Sequence, residues 1–173
     1  TGTKTDTPLL ETPQAISIVT QDQIAARQAQ NVSEALRYVP GVTSDVYGTT
    51  TAFDILKIRG FQAQTSLDGL RLPFDPGSQF AIPRIEPFGL ERIEVLKGPS
   101  SGLYGQTDPG GLLELVTKKP KVVPHYEVLG QTGAFNRAQG AFDIGGPLDP
   151  GGQYLYRIVG LGRKANGQGA FTQ

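Results

Sequence analysis

One stretch limits the fold more than any other. It runs Glu91-Arg-Ile-Glu-Val-Leu-Lys97, then Gly98-Pro-Ser-Ser-Gly-Leu-Tyr-Gly105, then Asp108-Pro-Gly-Gly-Leu-Leu-Glu-Leu-Val-Thr117. Charged side chains alternate with Ile93 and Val95, the period-two pattern of a half-buried strand. Gly98-Pro99 stops that strand, because proline has no N–H for the ladder and glycine accepts backbone angles that other residues avoid. Pro99 to Tyr104 suits one helical turn with proline at its start. Gly105 to Gly111 reads as a loop, and Leu112 to Thr117 as a second, more apolar strand. The stretch is strand, glycine-rich turn, strand, with no catalytic set attached.

Bulk properties narrow the class. At 173 residues the chain is long enough for one compact domain, not two. Gly 23 and Pro 13 make up about a fifth of it and only 18% is charged, which favours short strands and many turns over a helical bundle. Formal net charge is zero, so no overall field recruits nucleic acid, and no basic run tracks phosphates. Without cysteine there are no disulfides or thiolate metal sites. No apolar run approaches the roughly 20 residues of a membrane-spanning helix. The absence of an initiator Met and of a signal peptide reads as a piece of a longer precursor.

Three segments follow from the pattern: an extended lead-in over 1–14, a mixed domain over 15–120, and a differently patterned region over 121–173. In the second, Ala15 to Thr20 is a strand and Thr20 caps a helix with Ile24 on its apolar side. Ser33 is the expected N-cap of a second helix whose buried stripe is Ala35, Leu36 and Val39, ended by Pro40-Gly41. Asp54 to Gly60 reads as a strand, and Asp68-Gly69 as a tight hairpin turn. Residues 73–90 read as a long irregular loop. Beyond Pro120, Tyr126, Val128, Gly130 and Thr132 alternate with Glu127, Leu129 and Gln131; Phe142 and Ile144 alternate with Ala141 and Asp143. Tyr154, Tyr156 and Ile158 alternate with Leu155, Arg157 and Val159. Three such segments of about ten residues fit either a soluble meander or transmembrane β-barrel strands. Three strands cannot close a barrel and leave edges unpaired.

The strand-turn-strand stretch resembles the signature of the plug domain of TonB-dependent outer-membrane receptors, the siderophore receptors in particular. Thr12-Pro-Gln-Ala-Ile-Ser-Ile-Val-Thr20, Ala35-Leu-Arg-Tyr-Val-Pro-Gly-Val42, Ile58-Arg-Gly-Phe61 and Leu67-Asp-Gly-Leu70 resemble further plug segments in the same order. The resemblance makes barrel strands the better reading of 121–173. It implies an α+β plug with a small mixed four-stranded sheet and short helices, followed by the first antiparallel strands of a transmembrane β-barrel. It also implies a gate and ligand-docking role in an outer-membrane importer of ferric siderophores, with cobalamin or another large nutrient as the alternative cargo. The implied partners are the receptor's own barrel and a TonB-type energy-coupling protein gripping a segment upstream of residue 1. A ferric siderophore would be cargo; no cofactor of the protein's own is implied.

Two sets of residues are candidates under that resemblance. Arg59, Glu91, Arg92, Glu94 and Lys97 fall on otherwise apolar strands, and buried ions need partners. They form either plug–barrel contacts, as the family implies for Arg59 and Lys97 against acidic groups of the barrel wall, or an ordinary solvated face. Tyr47, Gln62, Gln64, Gln79 and Phe80 lie in stretches read as loops and are expected to touch the chelate, with plain loop surface as the bland alternative. Two rivals come from other classes. Gly98-Pro-Ser-Ser-Gly102 matches G-x-S-x-G, so Ser100 with Asp108 or Glu114 and His125 would make a serine hydrolase; the glycines more simply serve a turn. A soluble carbohydrate-binding module is the other. Asp68, Asp75, Asp108, Asp143 and Asp149 read as turn-forming carboxylates rather than a calcium set, and His125 alone offers no zinc set.

Overall fold

In the structure, a computed structural model, residues 14–46, 54–73, 84–105, 107–134 and 136–166 are described. They divide into two compact units, one up to Thr117 and one from Lys118 onward.

The first unit opens with β1 (Ala15–Thr20) and α1 (Gln21–Ala26). The hydroxyl of Thr20 accepts from Gln23 N–H, and the Gln23 side chain accepts from Thr20 N–H. This reciprocal box satisfies two of the N–H groups that a helix start leaves orphaned. Then follow α2 (Val32–Leu36) and the two-residue strands β2 (Val42–Thr43), β3 (Lys57–Ile58) and β4 (Phe61–Gln62). Next come β5 (Gln64–Leu67), β6 (Leu70–Arg71), a 3₁₀ turn at Pro87–Gly89, β7 (Leu90–Lys97), α3 (Ser101–Tyr104) and β8 (Gly111–Thr117). The main sheet has the order β1-β7-β8-β5-β6, and β2-β3-β4 form a small sheet of their own. Among the described residues only β5 and β8 run parallel; every other described pair of this unit is antiparallel. The core lies on one face of the main sheet, where Ile93, Val95, Leu113 and Leu115 pack with Ile24, Ala35, Leu36 and Ile58.

Turn chemistry fixes this topology. Asp68 and Asp-following Gly69 both have positive φ, 48° and 83°, as a two-residue hairpin of the primed type requires. Asp68 also accepts from the N–H and hydroxyl of Thr117 at 3.0 and 2.6 Å, tying the hairpin to the end of β8. At the other end of β8, a Cβ on Gly110 would overlap the carbonyl oxygen of Ile58, and one on Gly111 that of Leu96. Only glycine lets the chain enter β8 this close to its neighbours.

The second unit is a three-stranded antiparallel sheet: β9 (His125–Gly133), β10 (Arg137–Pro147) and β11 (Leu155–Lys164), with β10 in the middle. The register places Phe142 opposite Val128 and Gly160, and Ile144 opposite Tyr126 and Ile158. One face therefore carries Tyr126, Val128, Phe142 and Ile158, all exposed, with Val128 at 83%. The other carries His125, Glu127, Gln131, Gln139, Asp143, Arg157 and Arg163, interspersed with Leu129, Ala141, Val159 and Leu161. A side chain at Gly160 would overlap the Phe142 ring, so the glycine makes room for an aromatic across the strand. Among the described residues no helix is long and apolar enough to cross a membrane.

The α+β class holds, with corrections in detail. The main sheet has five strands rather than four. Asn31, not Ser33, caps α2, accepting from Glu34 N–H at 2.7 Å; Ser33 lies inside the helix and bonds Asp54 instead. The strand expected over Asp54 to Gly60 is confined to Lys57–Ile58. The helical turn starts at Ser101 rather than Pro99. Strand β7 is covered on both faces from Ile93 to Leu96, not half-buried: Ile93 and Val95 lie in the core, and Glu94 and Leu96 on the opposite face are covered as well.

Candidate functional site

The densest polar arrangement lies on the polar face of the second unit. Asp143, with its side chain 0% exposed, accepts from Lys118 Nζ at 2.8 Å and from Arg157 Nε and Nη2 at 2.8 and 2.7 Å. Arg157 also donates through Nη1 to the carbonyl of Lys119 at 2.9 Å. One carboxylate thus holds a two-pronged guanidinium and an ammonium, the strongest class of charge-assisted contact. Residues 118 and 119, the first of this unit, are thereby pinned to β10 and β11. Asp143, read from sequence as a turn-former, is a mid-strand ion-pair centre. His125 Nε2 lies 3.7 Å from Asp143 and 3.6 Å from Glu127, so these three could face a metal ion. Both oxygens of Asp143 already carry cationic donors, which makes the group an ion-pair network.

The first unit gathers its charges differently. Arg59 sits in the turn between β3 and β4 with φ of 52°, not on a strand, and its side chain is exposed. Its Nη1 comes within 3.7 Å of where a Cβ on Gly98 would stand, beside Lys97. Lys97 is half-buried and donates to the Ser17 hydroxyl at 2.8 Å. The Arg59 guanidinium therefore approaches the end of β7, next in sequence to Lys97. Arg92 donates to Glu94 at 2.7 Å, and Glu94 is 4% exposed, so its carboxylate is covered rather than presented outward. Glu91 is half-buried.

The expected ligand residues separate. Tyr47, Gln79 and Phe80 lie outside the described residues. Gln62 to Ser66, read as a loop, belongs to β4 and β5. Gln64 is 8% exposed and donates to the carbonyl of Thr65. Gln62 lines a cleft with Val32, Asp54, Leu56, Leu72 and Ile85, whose volume of about 30 Å³ accommodates a water, not a chelate. Asp54 reaches this cleft: its Oδ1 accepts from the Ser33 N–H and hydroxyl, while Oδ2 is buried without a partner. Burial pushes its carboxyl above the ordinary range, against the pull of the Ser33 bonds. Ser100 is covered and shares a hydrogen bond with Thr107 Oγ1 at 3.3 Å. A nucleophile elbow needs an exposed serine above a parallel sheet, and neither is present here.

A mixed sheet with short capped helices is thus followed by roughly ten-residue antiparallel strands whose exposed apolar side chains lie on one face and whose ions lie on the other. Residues 8–112 match the TonB-dependent Receptor Plug Domain family, and the chain belongs to that family. It is 44% identical over 173 residues to the ferrichrome outer membrane transporter/phage receptor of Escherichia coli K12, covering 97% of this chain and 23% of that protein. It is 39% identical over 171 residues to the ferrioxamine B receptor of Salmonella typhimurium, covering 96% and 24%. The fold is similar to the ferripyoverdine receptor of the Pseudomonas aeruginosa outer membrane, at TM-score 0.82 and 25% identity over 96% of this chain and 22% of that one. The chain spans about a quarter of the length of the relatives it matches.

Proposed function

We propose that this chain is the gate and the first wall strands of an energy-coupled outer-membrane receptor that imports ferric siderophores, and that it catalyses no reaction. The observation that carries the reading is the change of grammar at residues 117 and 118. A sheet with its own core gives way to a sheet whose apolar side chains face outward and whose ions face the other side. Such a sheet suits a wall between lipid and a polar lumen. In domain terms, 1–14 is a lead-in, 15–120 the plug and 121 onward the start of the barrel.

Arg59 and Lys97 are the plug's cationic end and pair with acidic groups of the inner wall, with Glu91, Arg92 and Glu94 as the flanking set. Tyr47, Gln62, Gln79 and Phe80 are the cargo-contacting residues of this reading; Gln64 is covered in β5. A TonB-type partner grips a segment upstream of residue 1 and draws on the plug. Ligand at the apex acts by shifting the population of the state that exposes that segment.

The test is uptake of iron-55 by cells that depend on the whole receptor, offered as ferrichrome, as ferrioxamine B, or replaced by labelled cobalamin. Energy-dependent uptake of a ferric chelate is expected, lost when the coupling protein is deleted. Uptake of cobalamin alone would move the cargo to the alternative, and uptake of neither would overturn the reading.

A further inference from the structure

In the antiparallel register of β7 and β8, Glu94 stands directly opposite Glu114, and Ser66 of β5 flanks Glu114 on its other side. All three are covered: Glu94 is 4% exposed, Glu114 3% and Ser66 3%. Like charges directly opposite on a sheet repel at about 5 Å between Cβ atoms, and burial removes the water that would screen them. The supply of positive charge and donors is uneven. Arg92 Nε donates to Glu94. Glu114 receives only the backbone N–H of Gly69 on Oε1, and its Oε2 is buried with no hydrogen-bond partner.

Among the described residues, the other ionisable groups bearing on Glu114 do not relieve this. Asp68, in the turn after β5, adds negative charge, and its oxygens are occupied by Thr117. Tyr104 of α3 is pushed up to about 12, by burial first and then by Glu114 and Glu94, so its phenol stays neutral. Burial, and after it the charges of Glu94 and Asp68, pushes Glu114 above the ordinary carboxyl range, with the Gly69 N–H opposing.

We propose that Glu94 and Glu114 form a one-proton site inside the plug sheet: at neutral pH the pair holds a single proton on Oε2 of Glu114 and a single negative charge matched by Arg92. The proton converts the orphaned acceptor into a donor, with Glu94 as the acceptor opposite. It also leaves one negative charge on the two covered glutamates, matched by the partly exposed Arg92. Loss of the proton puts a second negative charge across β7 and β8, two neighbouring interior strands of the sheet. The seam between those strands is therefore a weak point that opens more readily as pH rises. This holds whatever the receptor's cargo.

Infrared spectroscopy of the intact receptor in detergent tests it, because a protonated carboxyl has its own carbonyl stretching band. The wild-type spectrum at pH 7 is expected to show such a band, and Glu114→Gln to lose the intensity of one carboxyl. In the wild type alone, the band should persist on raising the pH beyond the ordinary glutamate range and then bleach as one step. Spectra of wild type and E114Q that coincide at pH 7, or a wild-type band that appears only on acidification through the ordinary range, would overturn the proposal.

Discussion

Each unit buries a carboxylate, and the two are treated in opposite ways. Asp143 in the three-stranded sheet is oversupplied: a guanidinium and an ammonium occupy both oxygens. Glu114 in the plug sheet is undersupplied: one backbone N–H, a bare oxygen and another glutamate opposite. A buried ion pair of good geometry is hard to break by removing one member, because the partner is left charged and dry. A buried acid with too few partners adjusts instead by holding a proton. The difference teaches where rigidity is placed. The wall fixes residues 118 and 119, whereas the plug keeps a seam that a proton can tighten or loosen.

The sharpest way to break this contrast is Asp143→Ala in the intact receptor. It leaves Lys118 and Arg157 covered without a counter-charge and should cost about 3–5 kcal/mol, read from the denaturant midpoint. A cost below about 1 kcal/mol, the range of exposed pairs, would mean that water reaches the cluster and the contrast is false. Next in size is Arg92→Ala, which removes a charged hydrogen bond to covered Glu94 and should cost about 1.5–3 kcal/mol. Its partner stays buried, but the proton site can take up part of the imbalance, which is why the cost should fall short of that at Asp143. Equal costs for the two variants would remove the distinction between a fixed and an adjustable site.

How much of this was legible depended on sequence distance. The Thr20 and Gln23 box, the Asp68-Gly69 turn and the alternation of the three wall strands each act within a few residues, and the chain alone announces them. Asn31 and Ser33 are both good N-caps. The choice between them is tied to Asp54, 21 residues away, which takes up the Ser33 hydroxyl. Gln64 read as loop because nothing local says that β5 will lie parallel to β8, whose residues come almost fifty positions later. Asp143 read as a turn residue because its partners stand 25 and 14 residues off. The Asp143 face of β10 carried the missed signal: Arg157 of β11 lies opposite Gly145, one same-face position along from Asp143, a diagonal pairing open once the alternation was trusted.

The pH response sharpens the plug side of the comparison. Asp54 is a second undersupplied acid, with one bare oxygen facing the small cleft and a carboxyl pushed up by burial. A group whose folded pKa is raised contributes stability below its unfolded pKa and loses that contribution as pH rises through the folded value. The plug should therefore lose stability as pH rises from the ordinary aspartate range through the raised folded value of Asp54. Asp54→Asn, which cannot ionise, should flatten the slope of unfolding midpoint against pH. A slope unchanged in D54N, or one of opposite sign in the wild type, would show that Asp54 is solvated and needs no proton.

The smallest effect is expected at Arg37, and it isolates burial as the deciding variable. Arg37 meets Asp45 through Nε and Nη2 at 2.9 and 2.8 Å, both on Oδ2, at distances close to those of Arg157, which takes one oxygen of Asp143 with each nitrogen. The chemistry is the same and the setting is not: the Arg37 side chain is 40% exposed, whereas that of Arg157 is 6%. Water screens the exposed pair and rehydrates whichever ion remains, so Arg37→Ala should cost no more than about 1 kcal/mol. Matched distances with unequal costs would assign the strength of the Asp143 cluster to its dryness. If R37A instead costs as much as D143A in the same denaturation series, hydrogen-bond geometry alone sets the energy, and the distinction between wall and plug must be sought elsewhere.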